Sequence, residues 1–237
     1  MSEWSPKRFW KDTRVVDEGG RFTVLLDDKP IRTPAKASLH MPTRAMAEAV
    51  AAEWEAQGER IVPDSMPVTR SANSAIDKVM VQKPEVVAML AEYGGTDLLS
   101  YRADGPEELV QRQAAAWDPY LDWAADRFDA RLAVTGGVMP VAQDNAALER
   151  LAAPLGELDA FELTAAHDLI ALSGSLVLGL AVIEGRAAAA PIWDISRVDE
   201  LWQAEVWGRD EEAEETAARK RGDFLHAERF LQLARNA

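Results

Sequence analysis

Residues 21–34 read RFTVLLDDKPIRTP, and this stretch decides how the chain begins to fold. The apolar run Phe22–Leu26 is typical of a short strand, and the DDKP segment after it is typical of a tight turn. A Gly-Gly pair precedes the run, and Val15-Val16 indicates an earlier strand. We therefore predict two or more short antiparallel strands, with Leu39 and Met41 as candidates for a further one.

The hydrophobic period changes from that of a strand to that of a helix at Thr43. Apolar side chains then follow helical spacing at Met46, Ala47, Val50, Ala51 and Trp54. Thr43 is a suitable N-cap for this helix and Gly58 a suitable stop. Further helical patterns cover residues 71–81, 85–92, 107–130, 144–154, 161–184 and 196–234.

These patterns predict an α+β fold with two domains. Residues 1–65 form a small β-rich N-terminal domain with one helix, and residues 66–237 form a larger all-helical C-terminal domain.

The apolar run Leu169–Ile183 is shorter than the roughly 20 residues that span a bilayer, so we expect a buried helix there. Asp118-Pro119 either starts a fresh helix or kinks a continuous one, and Gly185–Pro191, with its four alanines, is expected to be a connection.

Composition and charge exclude several classes of protein. The 237 residues include 26 Lys and Arg against 40 Asp and Glu, which gives a net charge of −14. This charge disfavours a nucleic-acid partner and an anionic membrane surface, because both require a basic face. The chain has no cysteine, so disulfides and thiol catalysis are excluded. The first residues have no apolar signal segment, and we expect a cytoplasmic protein of bacterial type.

The sequence offers little that resembles an active site. It contains no phosphate-binding, zinc-protease or nucleophile-elbow motif, and we expect no catalytic residue, metal site or cofactor. His167-Asp168, at the head of an apolar pattern, is the most tempting pair for an enzyme. A core-edge histidine beside a capping aspartate explains it equally well. Gly94–Asp97 is either a phosphate-binding nest or, more commonly, the caps of two successive helices.

The C-terminal region carries a concentrated negative charge. Between Asp199 and Glu215 there are eight acidic residues and one base. On a helix, Glu205 shares one face with three apolar residues, namely Val198, Leu201 and Trp202. A carboxylate in such a stripe either points outward at a partner or forms an internal salt bridge. The candidate internal partners are Arg102, Arg112 and Arg197.

Several blocks of the chain resemble the family of F1-ATPase assembly chaperones that hold the unassembled α subunit. The blocks are LDxxPxxTP, EWxAQ, MPxT followed by AxD, TDLLxYRA and WxxEVWGxDEE, and they keep their order over about residues 8–216. The resemblance implies a β-rich N-terminal domain and a helical C-terminal domain. It also implies chaperoning without catalysis or a cofactor.

The last of these blocks supplies the site that the resemblance implies. Glu205 matches the family's acidic residue in that block, and the partner-binding residues are then Trp202, Glu205, Trp207, Gly208, Asp210, Glu211 and Glu212. The implied partner is the F1 ATP synthase α subunit, and organellar relatives would act in the mitochondrial matrix. The free protein is expected to be a monomer.

Two other functional hypotheses stay open at this point. One is an acidic regulatory adaptor that binds basic proteins in general and whose binding depends strongly on salt. The other is a small-molecule enzyme that uses carboxylates with His167 and Asp168. A closed pocket would favour the enzyme, whereas an open groove or flat face around Glu205 would count against it.

Overall fold

The computed structural model describes residues 7–137 and 139–236, so the first six residues of the predicted N-terminal domain lie outside the described residues. The chain divides into two compact units. The first runs to Lys83 and includes Asp159–Ala165 and the end of the chain from Arg229. The second consists of Pro84–Leu158 and Ala166–Glu228. The domain boundary after residue 65 stays a prediction.

The first unit contains the predicted antiparallel strands. They are β1 (Thr13–Asp17), β2 (Phe22–Leu26) and β3 (Lys29–Pro30), in the order β1-β2-β3. Val15 pairs with Val24 in the register of β1 and β2. Met41 makes only an isolated bridge to Phe22, through two backbone hydrogen bonds of 2.7 and 3.0 Å. The further strand suggested at Leu39 and Met41 is therefore reduced to this bridge.

Helix α1 (Arg44–Glu55) begins where the period changes, as predicted. The Thr43 hydroxyl accepts a hydrogen bond of 3.1 Å from the Met46 backbone N–H, which satisfies one of the free donors of the first turn. The side chain of Trp54 stacks edge-on against the buried Trp10, with ring centroids 5.2 Å apart. Trp54 is therefore a packing residue, as the helical spacing of the apolar side chains predicted.

Helix α2 (Pro67–Ser74) has no cap of its own and continues into a π-helical turn over Ala75–Val79. Its cap comes from Glu53 of α1, whose carboxylate accepts hydrogen bonds from the backbone N–H groups of Val68 and Thr69 at 2.7 and 2.8 Å. A carboxylate at a helix N-terminus also compensates the helix dipole. Glu53 therefore ties α2 to α1.

The rest of the chain is predominantly helical, and the α+β fold class is confirmed. The helices are α3 (Lys83–Ala91), α4 (Glu107–Phe128), α5 (Asn145–Glu157), α6 (Ala160–Ser173), α7 (Leu176–Ile183), α8 (Ala189–Ser196), α9 (Val198–Trp207) and α10 (Glu211–Arg235). A two-residue parallel pair, β4 (Tyr101–Arg102) with β5 (Thr135–Gly136), is the addition that the sequence did not predict. No helix of the described residues is long and apolar enough to cross a membrane.

Helix α7 is the centre of the second unit, and all eight of its residues are buried. It packs against α4 and α8. At Gly179 a Cβ atom would overlap the side chain of Ile170, so α6 and α7 touch where only glycine fits. The predicted buried helix is confirmed, but it is shorter than the apolar run that predicted it.

Three predicted helix boundaries are wrong. The pattern over 161–184 is two helices, because Gly174 adopts a φ of 69° and Ser175 caps α7. The pattern over 196–234 is broken at Gly208, where φ is 93°. The alanine-rich connection is in part helix α8, because alanine favours helix and Pro191 lies in the first turn, where proline is tolerated.

Helix α4 is continuous through Pro119, so of the two alternatives a fresh helix at Asp118-Pro119 is wrong. Trp117, two residues earlier, is fully buried. Its indole N–H donates a hydrogen bond of 2.9 Å to the carbonyl of Ile195 in α8. Trp117 therefore fixes α4 against α8.

Asp97 is a buried capping residue, which is the commoner of the two interpretations of Gly94–Asp97. Its carboxylate accepts hydrogen bonds from the backbone N–H groups of Leu99 at 3.0 Å and of Val177, in the first turn of α7, at 3.1 Å. Burial nevertheless raises the pKa of Asp97 from its ordinary 3.8 to about 6, because desolvation outweighs these hydrogen bonds. The folded protein thus holds this proton more tightly than the unfolded chain.

Asp97 should make stability increase as the pH falls from 7 to 5. The stabilisation from its proton is complete below the unfolded pKa and is lost as the pH rises through the folded value of about 6. The expected gain between pH 7 and pH 5 is about 1 kcal/mol in the free energy of unfolding. Denaturant titrations of the wild type and of Asp97→Asn at several pH values measure this gain. If the free energy of unfolding depends on pH equally in the two proteins, the assignment is contradicted.

Candidate partner-binding surface

Helix α9 lies at the surface of the second unit, and none of its ten residues is buried. It nevertheless carries large apolar side chains. Leu201 is 51% exposed, Val206 53% and Trp207 77%. Exposed apolar side chains that cluster on one short helix are typical of a surface that binds another protein.

A polar cluster holds α9 against α4. The guanidinium of Arg112 in α4 donates a hydrogen bond of 2.7 Å to Glu205 and one of 3.2 Å to Glu108, and it lies 4.7 Å from the ring centroid of Trp202. The hydrogen bond to Glu205 raises the pKa of Arg112 further. We call Arg112, Glu205, Glu108 and Trp202 the Arg112 cluster.

A second contact fastens the first turn of α9. The buried amide of Gln113 donates a hydrogen bond of 2.6 Å to the carboxylate of Asp199. The amide oxygen of Gln113 accepts from the backbone N–H of Ala103 at 2.8 Å. Helix α9 is therefore positioned by polar contacts at two successive residues of α4.

Glu205 was expected either to form an internal salt bridge or to point outward at a partner, and the structure shows part of each. Of the three candidate arginines, Arg112 is the partner, yet the Glu205 side chain remains 56% exposed. The apolar stripe through Glu205 does not pack as one face, because Trp202 lies against Arg112 while Leu201 is exposed. Glu205 is thus available to a partner while it is paired inside the molecule.

An open groove of about 370 Å³ runs between α9 and the beginning of α10. Its apolar lining consists of Leu201, Ala204 and Trp207 from α9, Ala213 and Ala217 from α10, and the buried Trp193 of α8. Its charged lining consists of Asp194, Arg197, Glu200, Arg209, Asp210 and Glu214. We call this the α9–α10 groove.

The turn at one end of the groove depends on Gly208. Its φ of 93° is in the region that favours glycine, and its N–H closes α9 with a hydrogen bond of 3.1 Å to the carbonyl of Ala204. Asp210 then caps α10 by accepting from the backbone N–H of Ala213 at 3.1 Å. The three residues between the helices therefore bring their two faces together.

The structure divides the residues predicted from the sequence between two places. Trp207, Gly208 and Asp210 line the α9–α10 groove. Trp202 and Glu205 belong to the Arg112 cluster. Glu212 lines an adjoining open cavity with Thr216 and Lys220, and Glu211 is exposed at the start of α10. The role of these seven residues in binding a partner stays a prediction.

Trp193 and Arg209 are two of the groove residues that are absent from the site predicted from the sequence. Trp193 lies in α8, between the predicted connection Gly185–Pro191 and the helical pattern that begins at residue 196. No helical period therefore linked it to α9. Arg209 was seen only as the one base among eight acids, and it pairs with Glu214 at 3.3 Å. The positive φ of Gly208, which brings the start of α10 beside α9, is the missing signal for Arg209, whereas Trp193 joins the groove through tertiary packing.

The pair His167-Asp168 does not form a site of its own. The two side chains are 2.8 Å apart and partly exposed, in the middle of α6 rather than at its head as predicted. The hydrogen bond to Asp168 raises the pKa of His167. Within the described residues, no group of three or more His, Asp or Glu side chains is arranged to hold a metal ion.

Comparison with known proteins identifies relatives over nearly the whole chain. A family model described as ATP12 chaperone protein matches residues 7–125. Atp12 of Paracoccus denitrificans, known from a crystal structure, is 55% identical with a TM-score of 0.94, over 97% of this chain and 98% of that one. A candidate chaperone of Agrobacterium tumefaciens is 41% identical with a TM-score of 0.91, over 98% and 87%. The mitochondrial protein atp12 of Schizosaccharomyces pombe is 22% identical over 221 residues, 88% of this chain and 76% of that protein.

The relatives that this comparison identifies are chaperones rather than enzymes. The fold and its relatives thus define an assembly chaperone. The chain belongs to the ATP12 chaperone family, whose members act in assembly of the ATP synthase. The resemblance drawn from the sequence blocks is confirmed, and the enzyme hypothesis is set aside.

The pairing of Arg112 with Glu205 predicts that a charge exchange preserves the position of α9. Glu205→Arg or Arg112→Glu alone places like charges together, and the backbone amides of α9 should then exchange hydrogen severalfold faster. The double variant restores opposite charges between positions 112 and 205. It should return exchange part of the way to the wild-type rate, because a glutamate at position 112 still repels Glu108. Hydrogen exchange followed by mass spectrometry measures this, and a double variant as fast as the single ones would contradict the prediction.

Proposed function

We propose that this protein binds the unassembled α subunit of F1 ATP synthase and shields the surface that pairs with the β subunit. The subunit would be released when it enters the α/β hexamer. Family membership supports the role in assembly. The observation that carries the binding role is the outward position of Leu201 and Trp207 beside a cluster of acidic side chains.

The physical basis of such a holder is the exposed surface of its client. An α subunit outside the hexamer exposes apolar area that it later buries, and large exposed apolar area promotes aggregation. A holder that covers this area lowers the concentration of the aggregating species. The larger interface formed in the hexamer then competes successfully for the same surface, so no nucleotide hydrolysis by the holder is required.

The residues of the surface receive different roles in this proposal. Trp207, with its exposed ring, is the main apolar contact, and Asp210, Glu211 and Glu212 attract basic groups of the client. Gly208 provides the turn between the two helices. The Arg112 cluster, with Trp202 and Glu205, keeps α9 in place while leaving part of the Glu205 carboxylate accessible. The free protein would act as a monomer in the bacterial cytoplasm.

An acidic regulatory adaptor is the alternative function. The net charge of −14 and the acidic run before Glu215 favour it. The apolar lining of the α9–α10 groove favours a specific client instead, because an adaptor that acts by charge alone does not require exposed tryptophan. Salt distinguishes the two, since charge-driven binding weakens steeply with ionic strength and apolar contact does not.

The proposal predicts that the protein suppresses aggregation of isolated F1 α subunit and that Glu205→Lys abolishes the effect. The lysine reverses a partly exposed charge on the binding surface and repels Arg112. Light scattering of freshly diluted α subunit measures suppression, and gel filtration measures the complex. Thermal melts establish that each variant is folded.

Glu149→Lys is the matched control, because Glu149 is exposed on α5, outside both α9 and the groove. It makes the same change of charge and should suppress aggregation like the wild type. If the wild type neither suppresses scattering nor forms a complex, the α subunit is not the client. If both lysine variants fail equally, overall charge rather than this surface determines binding, and the adaptor is favoured.

A further inference from the structure

We infer that the α9–α10 groove receives one amphipathic α-helix of the client, with a large apolar side chain facing Leu201 and Trp207 and with Lys or Arg on its flanks. This inference rests on the proposed function and specifies the chemistry of the client segment. It is carried by the shape, the lining and the charge of the groove.

The shape of the groove suits a third helix. Its walls are the facing sides of two helices, and small residues recur there at helical spacing, at Ala204 and Gly208 on one wall and at Ala213 and Ala217 on the other. Helices pack with their axes 8–10 Å apart when the side chains between them are small. A helix placed in the groove can therefore approach both walls closely.

Backbone hydrogen bonding favours a helix over an extended segment. Both walls are α-helices, whose backbone groups away from the helix ends are bonded within each helix, and no strand borders the groove in the described part of the chain. An extended segment would bring N–H and C=O groups that find no backbone partner there, whereas a helix satisfies its own. Strand addition, the usual way of binding an extended peptide, requires a sheet edge.

The apolar contacts define where a large side chain of the client would insert. The buried ring of Trp193 lines the groove and packs against the ring of Phe224, with ring centroids 5.6 Å apart. Leu201 and Trp207 of α9 also line the groove, and their side chains are 51% and 77% exposed. Tryptophan in such a position commonly contributes a large share of binding energy, since covering its ring removes much apolar area from water.

The charges of the groove define the flanks of the client helix. Arg197 pairs with Glu200 at 2.6 Å and Arg209 with Glu214 at 3.3 Å, so both bases are compensated within the chain. The remaining acids of the groove and of the adjoining turn are Asp194, Asp210, Glu211 and Glu212, and none of them has an ion pair within the described residues. Complementary flanks are therefore basic.

Site-specific crosslinking tests which segment occupies the groove. The full-length protein carrying Trp207→p-benzoylphenylalanine is mixed with isolated F1 α subunit and irradiated, and the joined peptides are identified by mass spectrometry. We expect crosslinks to a single helix of the α subunit with apolar residues at helical spacing and flanking Lys or Arg. The same photoreactive residue at Val62, which is 52% exposed in the first unit, is the control and should not label that helix.

Filling the groove tests the same inference without a change of charge. Ala213→Leu places a bulky side chain in the groove at an exposed helical position, where leucine is well tolerated. It should weaken binding of the α subunit about tenfold or more, as expected for loss of a central contact. Ala218→Leu makes the same change on α10 at an exposed position that does not line the groove, and it should bind like the wild type.

The outcomes separate the two proposals. If the wild type binds the α subunit but Ala213→Leu binds equally well, or if crosslinks from position 207 reach extended segments or a second copy of this chain, the groove inference is wrong and the proposed function stands. If the wild type does not bind the α subunit at all, the proposed function fails and this inference fails with it. A labelled helix together with selective loss in Ala213→Leu supports both.

Discussion

The structure of the second unit depends on one constraint, which is that α7 is buried on every side. A helix without a polar face must be surrounded by other elements, and α4, α6 and α8 supply the neighbours. The first N–H groups of α7 are buried too, and Ser175 and Asp97 accept hydrogen bonds from them. Trp117 then joins α4 to α8, and α8 leads directly into α9. The burial of α7 therefore determines that α9 is an outer helix.

On the proposed function, stability and binding belong to different layers of the same unit. The core around α7 consists of apolar residues that are closed to solvent, whereas α9 buries none of its own. Polar contacts with Arg112 and Gln113 are sufficient to position α9, so its apolar side chains remain free for another protein. This separation agrees with membership of a chaperone family, because the proposed binding surface can be used without disturbing the core.

The sequence predicted the elements whose signal is local. The strands, the cap at Thr43 and the buried helix after Asp168 follow from period and capping residues alone. The breaks at Gly174 and Gly208 were missed because helical patterns continue on both sides, and only the positive φ of these residues ends each helix. The partner of Glu205 could be narrowed to three arginines, but Arg112 lies 93 positions away and is selected by the packing of α4 against α9. Trp193 was missed for the same reason, since its helix joins the groove through tertiary packing.

The lack of buried residues in α9 has a consequence for how tightly any partner can be held. A helix of ten residues is only marginally stable in water by itself, so α9 owes its order to its polar contacts with Arg112 and Gln113. The exposed side chains of α9 lose rotamer freedom when a partner covers them, and this cost lowers the affinity. On the proposed function, this cost favours moderate affinity and rapid dissociation. Both suit a protein that holds a subunit only until its permanent neighbour arrives.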